Sequence, residues 1–320
     1  MVIAKEVLKT LFVWFLAMVV IILFALLPRT IEVEFSEYEL ITSYSIPYEF
    51  YIENIKNYLN MVFFEHTLGE TRFGTSVFEE VIMYGGRSSI VIAIAFLFAI
   101  VLGTAKGFFD FIVRKSKVRL LGGPTTFTLQ SFPDFFVVIV FQLIMFWLIS
   151  LGLPNISLFG NESWHHFLLA SSLLSIFPMM YMARIVSSSL MLEEGLPYLT
   201  TARSKGLSNF FVLWKHQFTN GLIHVIPHIP TIFLYVMSNL VIIEYLMYFR
   251  GGAYRLYQAL GFAEAQITGG RNRTPFNEMM FEPELVIALL AVFISFVAVI
   301  HLLCKLFMHF SPLLKGGQHE

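Results

Sequence analysis

His224 and His228 stand four residues apart, a spacing that sets two imidazoles on one face of a helix and can hold a metal ion. No HExxH pattern accompanies them, and a lone pair of this kind is more often structural, so no metal site is expected. Asp134, directly behind Pro133, and Glu244 are acids set in or at the edge of long apolar runs, and Gln142 and Asn239 are amides in the middle of such runs. Ionisable groups in apolar helices are costly and mark a bundle interior or a polar path through it. Pro133, Asp134, Gln142, Asn239 and Glu244 are therefore the candidates for lining such a path, Glu244 foremost. The competing reading for Glu244 is a carboxylate bonded to a neighbouring helix or reaching outward. For the two amides it is hydrogen bonding between helices. Asp134 is expected at the cytoplasmic side of its span. His165-His166, beside Trp164, read as interface residues. No GxSxG nucleophile turn and no GxxxxGK[ST] phosphate loop occurs, so catalysis has no motif behind it. The single Cys304 excludes an internal disulfide and supplies too little sulfur for a zinc or iron–sulfur centre.

The elements that carry these residues are dictated by composition. Of 320 residues, 57% are hydrophobic and 13% charged, 35 are Phe, and the mean hydropathy is +0.73. A soluble domain carries about 25% charged residues, so this chain has too little polar surface for a water-soluble globule. Disorder, collagen and disulfide-rich scaffolds are excluded, and a net charge of −1 offers no case for nucleic acid. The fold class is an all-α integral membrane protein.

A bilayer core needs about 20 apolar residues in helix. Runs at 11–27, 88–109, 127–151, 167–191, 222–247 and 283–310 predict about six spans. The first reads as an uncleaved helix, because Pro28-Arg29 come after it with no small-residue cleavage pattern. Pro133, Pro178, Pro227 and Pro230 interrupt spans, either as simple kinks or at a pathway where freed carbonyls find partners. Placing both termini in the cytoplasm leaves 13 Lys and Arg on inner segments against 8 on outer ones, as the positive-inside rule requires. The organisation expected is an N-terminal transmembrane helix (1–27), an extracytoplasmic segment (28–85), a five-helix core (86–312) and a cytoplasmic tail (313–320). The outer segment carries ten acids against three bases. Alternation over 31–35 suggests a strand there, and 48–59 an amphipathic helix. A second outer loop spans 250–282.

The one long polar stretch inside, 193–222, predicts a short helix over 200–205 that Gly206 stops in the left-handed conformation. Ser208 is the N-cap of a second short helix over 209–216, bearing Phe210, Phe211, Leu213 and Trp214, with Lys215 and His216 at its C-terminal end. Exposed aromatics on a helix–Gly–helix need either lipid headgroups or a partner protein to cover them.

The residues of this loop, TTARSKGL with Thr201, Ala202, Arg203 and Gly206 above all, resemble the cytoplasmic "EAA" loop of permease subunits of binding-protein-dependent ABC importers. The wider YLTTARSKGLS resembles the B-type subunit of the oligopeptide/dipeptide branch. SFPDFF (131–136), LGLPNISLFG (151–160), MARIVSSSLMLE (182–193) and NLVIIEYLMYFRGGAYRLYQAL (239–260) are similar, in order, to further family segments, so the resemblance covers roughly 85–320. The family's Glu-Ala-Ala is Thr200-Thr201-Ala202 here, its later Leu-Pro is Phe218-Thr219, and its Pro-Gly-Leu-Gly is Phe249-Arg250-Gly251-Gly252. The resemblance implies a type I importer permease core that moves peptides without doing chemistry itself.

It implies that a coupling loop, 193–217, enters a groove on an ATP-hydrolysing subunit. Gly206 would supply the turn, Ala202 close approach, Leu207, Phe210 and Phe211 the groove-filling bulk, and Arg203 and Lys205 pairing with acids at the rim, with Thr200 and Thr201 alongside. It implies no cofactor in this chain, ATP being bound by partner subunits. The implied partners are a second permease of similar fold, two ABC ATPase subunits, an extracytoplasmic solute-binding protein and the bilayer of the cell membrane. The tail Leu314–Gln318 looks faintly like an ATPase signature but lacks a phosphate loop. The alternatives are a six-span secondary transporter or channel, a nickel-type permease, and a membrane-embedded enzyme.

Overall fold

The computed structural model of the chain describes residues 2–28, 30–35, 40–45, 47–152, 154, 157–262 and 281–310. The expected tail, 313–320, and most of the second outer loop therefore lie outside the described residues. In chain order the elements are α1 (Val2–Ala25), β1 (Thr30–Phe35), β2 (Leu40–Ser45), α2 (Tyr48–Phe63), α3 (Val77–Val113), α4 (Gly123–Ser131), α5 (Asp134–Ser150), α6 (Trp164–Glu193), α7 (Pro197–Ser204), α8 (Asn209–Leu246), α9 (Gly252–Ala259) and α10 (Pro283–Phe310). Five of these, α1, α3, α6, α8 and α10, are long and apolar enough to cross a membrane.

The third expected span is instead broken. Arg119–Ser131 and Asp134–Ser150 meet at 104°. The cause is local: Pro133 cannot continue a helix and drives Phe132 into the extended region (φ −83°, ψ 146°). Pro133 then serves as N-cap to α5. Pro178, by contrast, sits inside a continuous α6, and Pro227 and Pro230 are absorbed by a tight turn at Ile226–His228 within α8. The bent pair counts as a sixth span only if its two halves cross together.

Two compact units are present, one built mainly on Ser89–Phe249 and the other on Leu11–Ser88 with Arg250–Phe296. In the first unit α6 is the central element. Met182, Val186 and Leu190 of α6 form a buried cluster with Ala99 and Phe111 of α3 and with Leu213, Val225 and Ile232 of α8. Two glycines let α3 come close. A Cβ at Gly103 would lie 2.7 Å from Met182 Cβ and 2.8 Å from the Met179 carbonyl, and one at Gly107 would lie 2.7 Å from both the Ala183 carbonyl and Val186 Cβ. Gly103-x-x-x-Gly107 is thus a small-residue contact of the kind that packs membrane helices, where dispersion rather than water exclusion drives association. Behind it, buried Asp110 accepts from Thr126 Oγ1 (2.6 Å) and pairs with Lys106, whose ammonium also donates to the Leu121 and Gly122 carbonyls (3.2 and 3.3 Å). This pins α4 to α3.

The second unit contains the expected strand and amphipathic helix. β1 pairs antiparallel with β2, Thr30 opposite Ser45 and Phe35 opposite Leu40. Only the first of these strands is expected from sequence, since Leu40–Ser45 shows no clear alternation. Tyr51 Oη of α2 donates to the Leu23 carbonyl of α1 (2.8 Å). Tyr58 faces Glu284, and burial first, with that charge second, pushes its hydroxyl up to about 12. The buried anchor of the unit is Arg255 of α9. Its Nε donates to Glu80 (2.7 Å), and Nη1 and Nη2 form a fork onto Glu282 (2.8 and 2.9 Å). Burial would lower the Arg255 pKa, but the bonds to Glu282 and Glu80 outweigh it and raise it further. Charge counting places Arg255 and Glu80 in outer segments, but their partnership spans 175 residues and no local pattern signals it.

Candidate functional site

The polar loop between α6 and α8 is built as two short arms about one turn. Pro197 opens α7 at a first-turn position, where its missing N–H costs nothing. The arm ends with the Gly206 amide on the Arg203 carbonyl (2.9 Å) and Gly206 at φ +79°, the left-handed stop expected there. Ser208 Oγ accepts from the Phe211 amide (3.3 Å), so it is the N-cap of the second arm.

Two details differ from the sequence expectation. The first helix starts at Pro197, three residues earlier than expected. The second is not a short helix ending near His216 but the head of α8, which runs without a break to Leu246 through a wide π-helical turn at Val212–Phe218. Lys215 and His216 are consequently not at a helix end, and the dipole argument for them does not apply. The arm is instead a rigid extension: at 1.5 Å per residue a 38-residue helix is about 57 Å long, far beyond a ~30 Å hydrocarbon core.

The arms close on each other through Leu199, Ala202 and Val212, all buried, with Tyr198 against them. Ala202 thus faces inward and holds the arms together. The other residues expected to meet a partner point out. Thr200, Thr201, Arg203, Lys205, Gly206, Leu207, Phe210 and Phe211 are exposed, Phe210 at 73%, and Trp214 stands beside them at 53%. Two side-chain bonds tie the loop to α6. Gln217 Nε2 donates to the Leu190 carbonyl (2.6 Å), buried. Tyr198 Oη donates to the carboxylate of Glu193, the last residue of α6. Burial, then that bond, pushes the Tyr198 hydroxyl up to about 12. Sequence reasoning misses both Tyr198 and Gln217, since an isolated Tyr or Gln carries no motif.

The break before α5 creates the second feature. Gln142 Nε2 of α5 donates to the Leu246 carbonyl at the end of α8 (2.9 Å). α5 and α8 therefore pack side by side, and Gln142 bridges the two helices. Asp134 is the first residue of α5, directly after the bend. There it lines a cleft of about 320 Å³ with Gln130, Ser131, Tyr181, Arg184 and Tyr235. Arg184 lies over the Tyr181 ring (5.3 Å), the Tyr181 and Tyr235 rings are 5.1 Å apart, and Tyr181 Oη meets His228 Nδ1 at 3.2 Å. Gln142 and Glu244 do not line this cleft, and Glu244 is fully buried within α8's packed face.

His224 and His228 go to different partners, Glu193 (3.8 Å) and Tyr181, and the described residues hold no group of three or more potential metal ligands. His166 completes a capping box with Ser163 at the head of α6.

Five helices long and apolar enough to cross a membrane define a multi-pass membrane protein. Residues 95–309 match the family described as binding-protein-dependent transport system inner membrane component, and the chain belongs to that family. Among its relatives is the "Glutathione transport system permease protein GsiC" of Salmonella paratyphi A, 28% identical over 148 residues, 46% of this chain and 47% of that protein. The same protein of Salmonella typhimurium aligns equally. A provisionally named peptide transport system permease protein of Brucella abortus is 32% identical over 136 residues, 41% of this chain and 43% of its own length. The chain spans about half the length of these relatives.

Proposed function

We propose that the chain is a permease subunit of an ABC importer, moves peptides across the cytoplasmic membrane, and takes its driving force from a separate ATPase seated on the Gly206 loop. The observation that carries this is the pairing of outward-facing Leu207, Phe210, Phe211 and Trp214 with Arg203, Lys205 and Lys215 on a loop braced to α6 by Tyr198 and Gln217. Apolar bulk rimmed by cations fits an apolar groove with an acidic rim, and exposed aromatics on a braced turn are stabilised by a protein partner. The relatives' names, glutathione and peptide transport, support a peptide cargo.

Asp134 and its cleft belong to the translocation pathway, with Pro133 setting the bend and Asn239 near Asp134 on α8. Gln142 and Glu244 support it from the packed faces behind. The partners are a second permease of similar fold, two ATPase subunits that bind the ATP, and an extracytoplasmic solute-binding protein. Both termini face the cytoplasm. Affinity purification of the full chain from its native membrane tests this. A co-purifying ATPase whose hydrolysis rises with peptide-loaded binding protein supports it; a chain isolated without any ATPase and still catalysing peptide flux would overturn it.

A further inference from the structure

Resting on the importer reading, we infer that the cleft between α4, α5, α6 and α8 is a subsite for a zwitterionic short peptide, with Asp134 receiving its ammonium end and Arg184 its carboxylate end. The two charged groups stand on different elements, α5 and α6, and line one cleft. The Asp134 carboxylate at the cleft offers about four lone-pair positions to an ammonium. Arg184 is spread over the Tyr181 ring, a placement that orients the guanidinium but consumes none of its five donors.

The rest of the lining is Gln130, Ser131 and the two tyrosines, whose neutral donors and acceptors suit peptide amide groups, with Phe127 and Phe177 supplying apolar surface. A volume of about 320 Å³ falls at the lower end of the range for small-molecule sites, about 300–1,000 Å³, and matches a di- or tripeptide rather than a long chain. Two opposite charges in the lining of one cleft discriminate by the ligand's own charge separation. A peptide capped at either end would leave one of them without its counter-charge, the mismatch that selects most strongly.

The test places a single reporter thiol at the cleft, Gln130→Cys in a Cys304→Ser background, in the assembled importer reconstituted in proteoliposomes. The rate of labelling by a methanethiosulfonate reagent is measured with trialanine or with N-acetyl-trialanine amide. Trialanine is expected to slow labelling severalfold and the capped peptide not at all. Adding Asp134→Asn or Arg184→Gln should raise the half-protecting trialanine concentration by on the order of tenfold or more, the loss expected for a hydrogen bond to a charged group. Equal protection by both peptides, protection by neither, or protection unchanged in both variants would overturn the subsite. Presence of the ATPase is scored on the same preparation, so a failure of the importer reading shows there and a failure of the subsite shows in the labelling rates.

Discussion

Tyr198 in the loop donates a hydrogen bond from its hydroxyl to Glu193, the residue at which α6 ends. On the proposed coupling role, a pull on the turn at Gly206 would reach a helix that packs against both α3 and α8.

Removing that bond should loosen the joint while sparing insertion. Tyr198→Phe leaves Glu193 with one fewer donor in a buried setting, a cost of about 1–3 kcal/mol. The expected result is a lower melting temperature and less peptide carried per ATP hydrolysed. The stability difference from wild type has a defined pH course. Because the folded hydroxyl titrates near 12, above the ordinary tyrosine value of about 10, its contribution is whole below about pH 10 and lost as pH rises towards 12. Melting temperatures of the two proteins at pH 6 and pH 9 should differ by the same interval; a difference that shrinks towards pH 9 would contradict the assignment.

The tip of the loop can be changed without disturbing the packing beneath it. No atom lies within 4 Å of a Cβ built at Gly206, whose only demand is its positive φ. Asn and Asp both tolerate that conformation better than other non-glycine residues. Gly206→Asp should insert normally yet uncouple ATP hydrolysis from uptake by placing an acid beside Arg203 and Lys205, whereas Gly206→Asn should retain more coupling. Uptake assays in which the two variants behave identically would show that charge at the tip is irrelevant.

The contact of α3 with α6 predicts a stability effect of a different origin. Gly103→Val and Gly107→Val each force a side chain into space already held by Met182 or Val186, and overpacking of this kind costs about 1–3 kcal/mol. Melting curves in detergent should show the loss for both, and a neutral outcome would mean that the two helices do not approach closely at these glycines.

The helical spans were legible because apolar length and helical rise leave little choice, and the loop was legible because its Gly and Ser carry their own backbone chemistry. The break at Phe132–Pro133 was visible as a proline but not as a right-angle bend, since Pro178 in an equally apolar run is simply absorbed by α6. The cleft was hidden for another reason. Asp134, Tyr181, Arg184 and Tyr235 come from segments up to about a hundred residues apart, and Arg184 reads in sequence as one more inner-face cation. Ala202 shows the converse: small enough for close approach to a partner, it is used instead to close the loop on Val212.

The most direct measurement is site-specific photocrosslinking from residue 210 in intact cells. Phe210 replaced by a benzophenone amino acid should give an adduct with an ATP-hydrolysing polypeptide, and that adduct should weaken in the Gly206→Asp background. Adducts with lipid alone, or with a protein outside the cytoplasm, would contradict the coupling role of the loop.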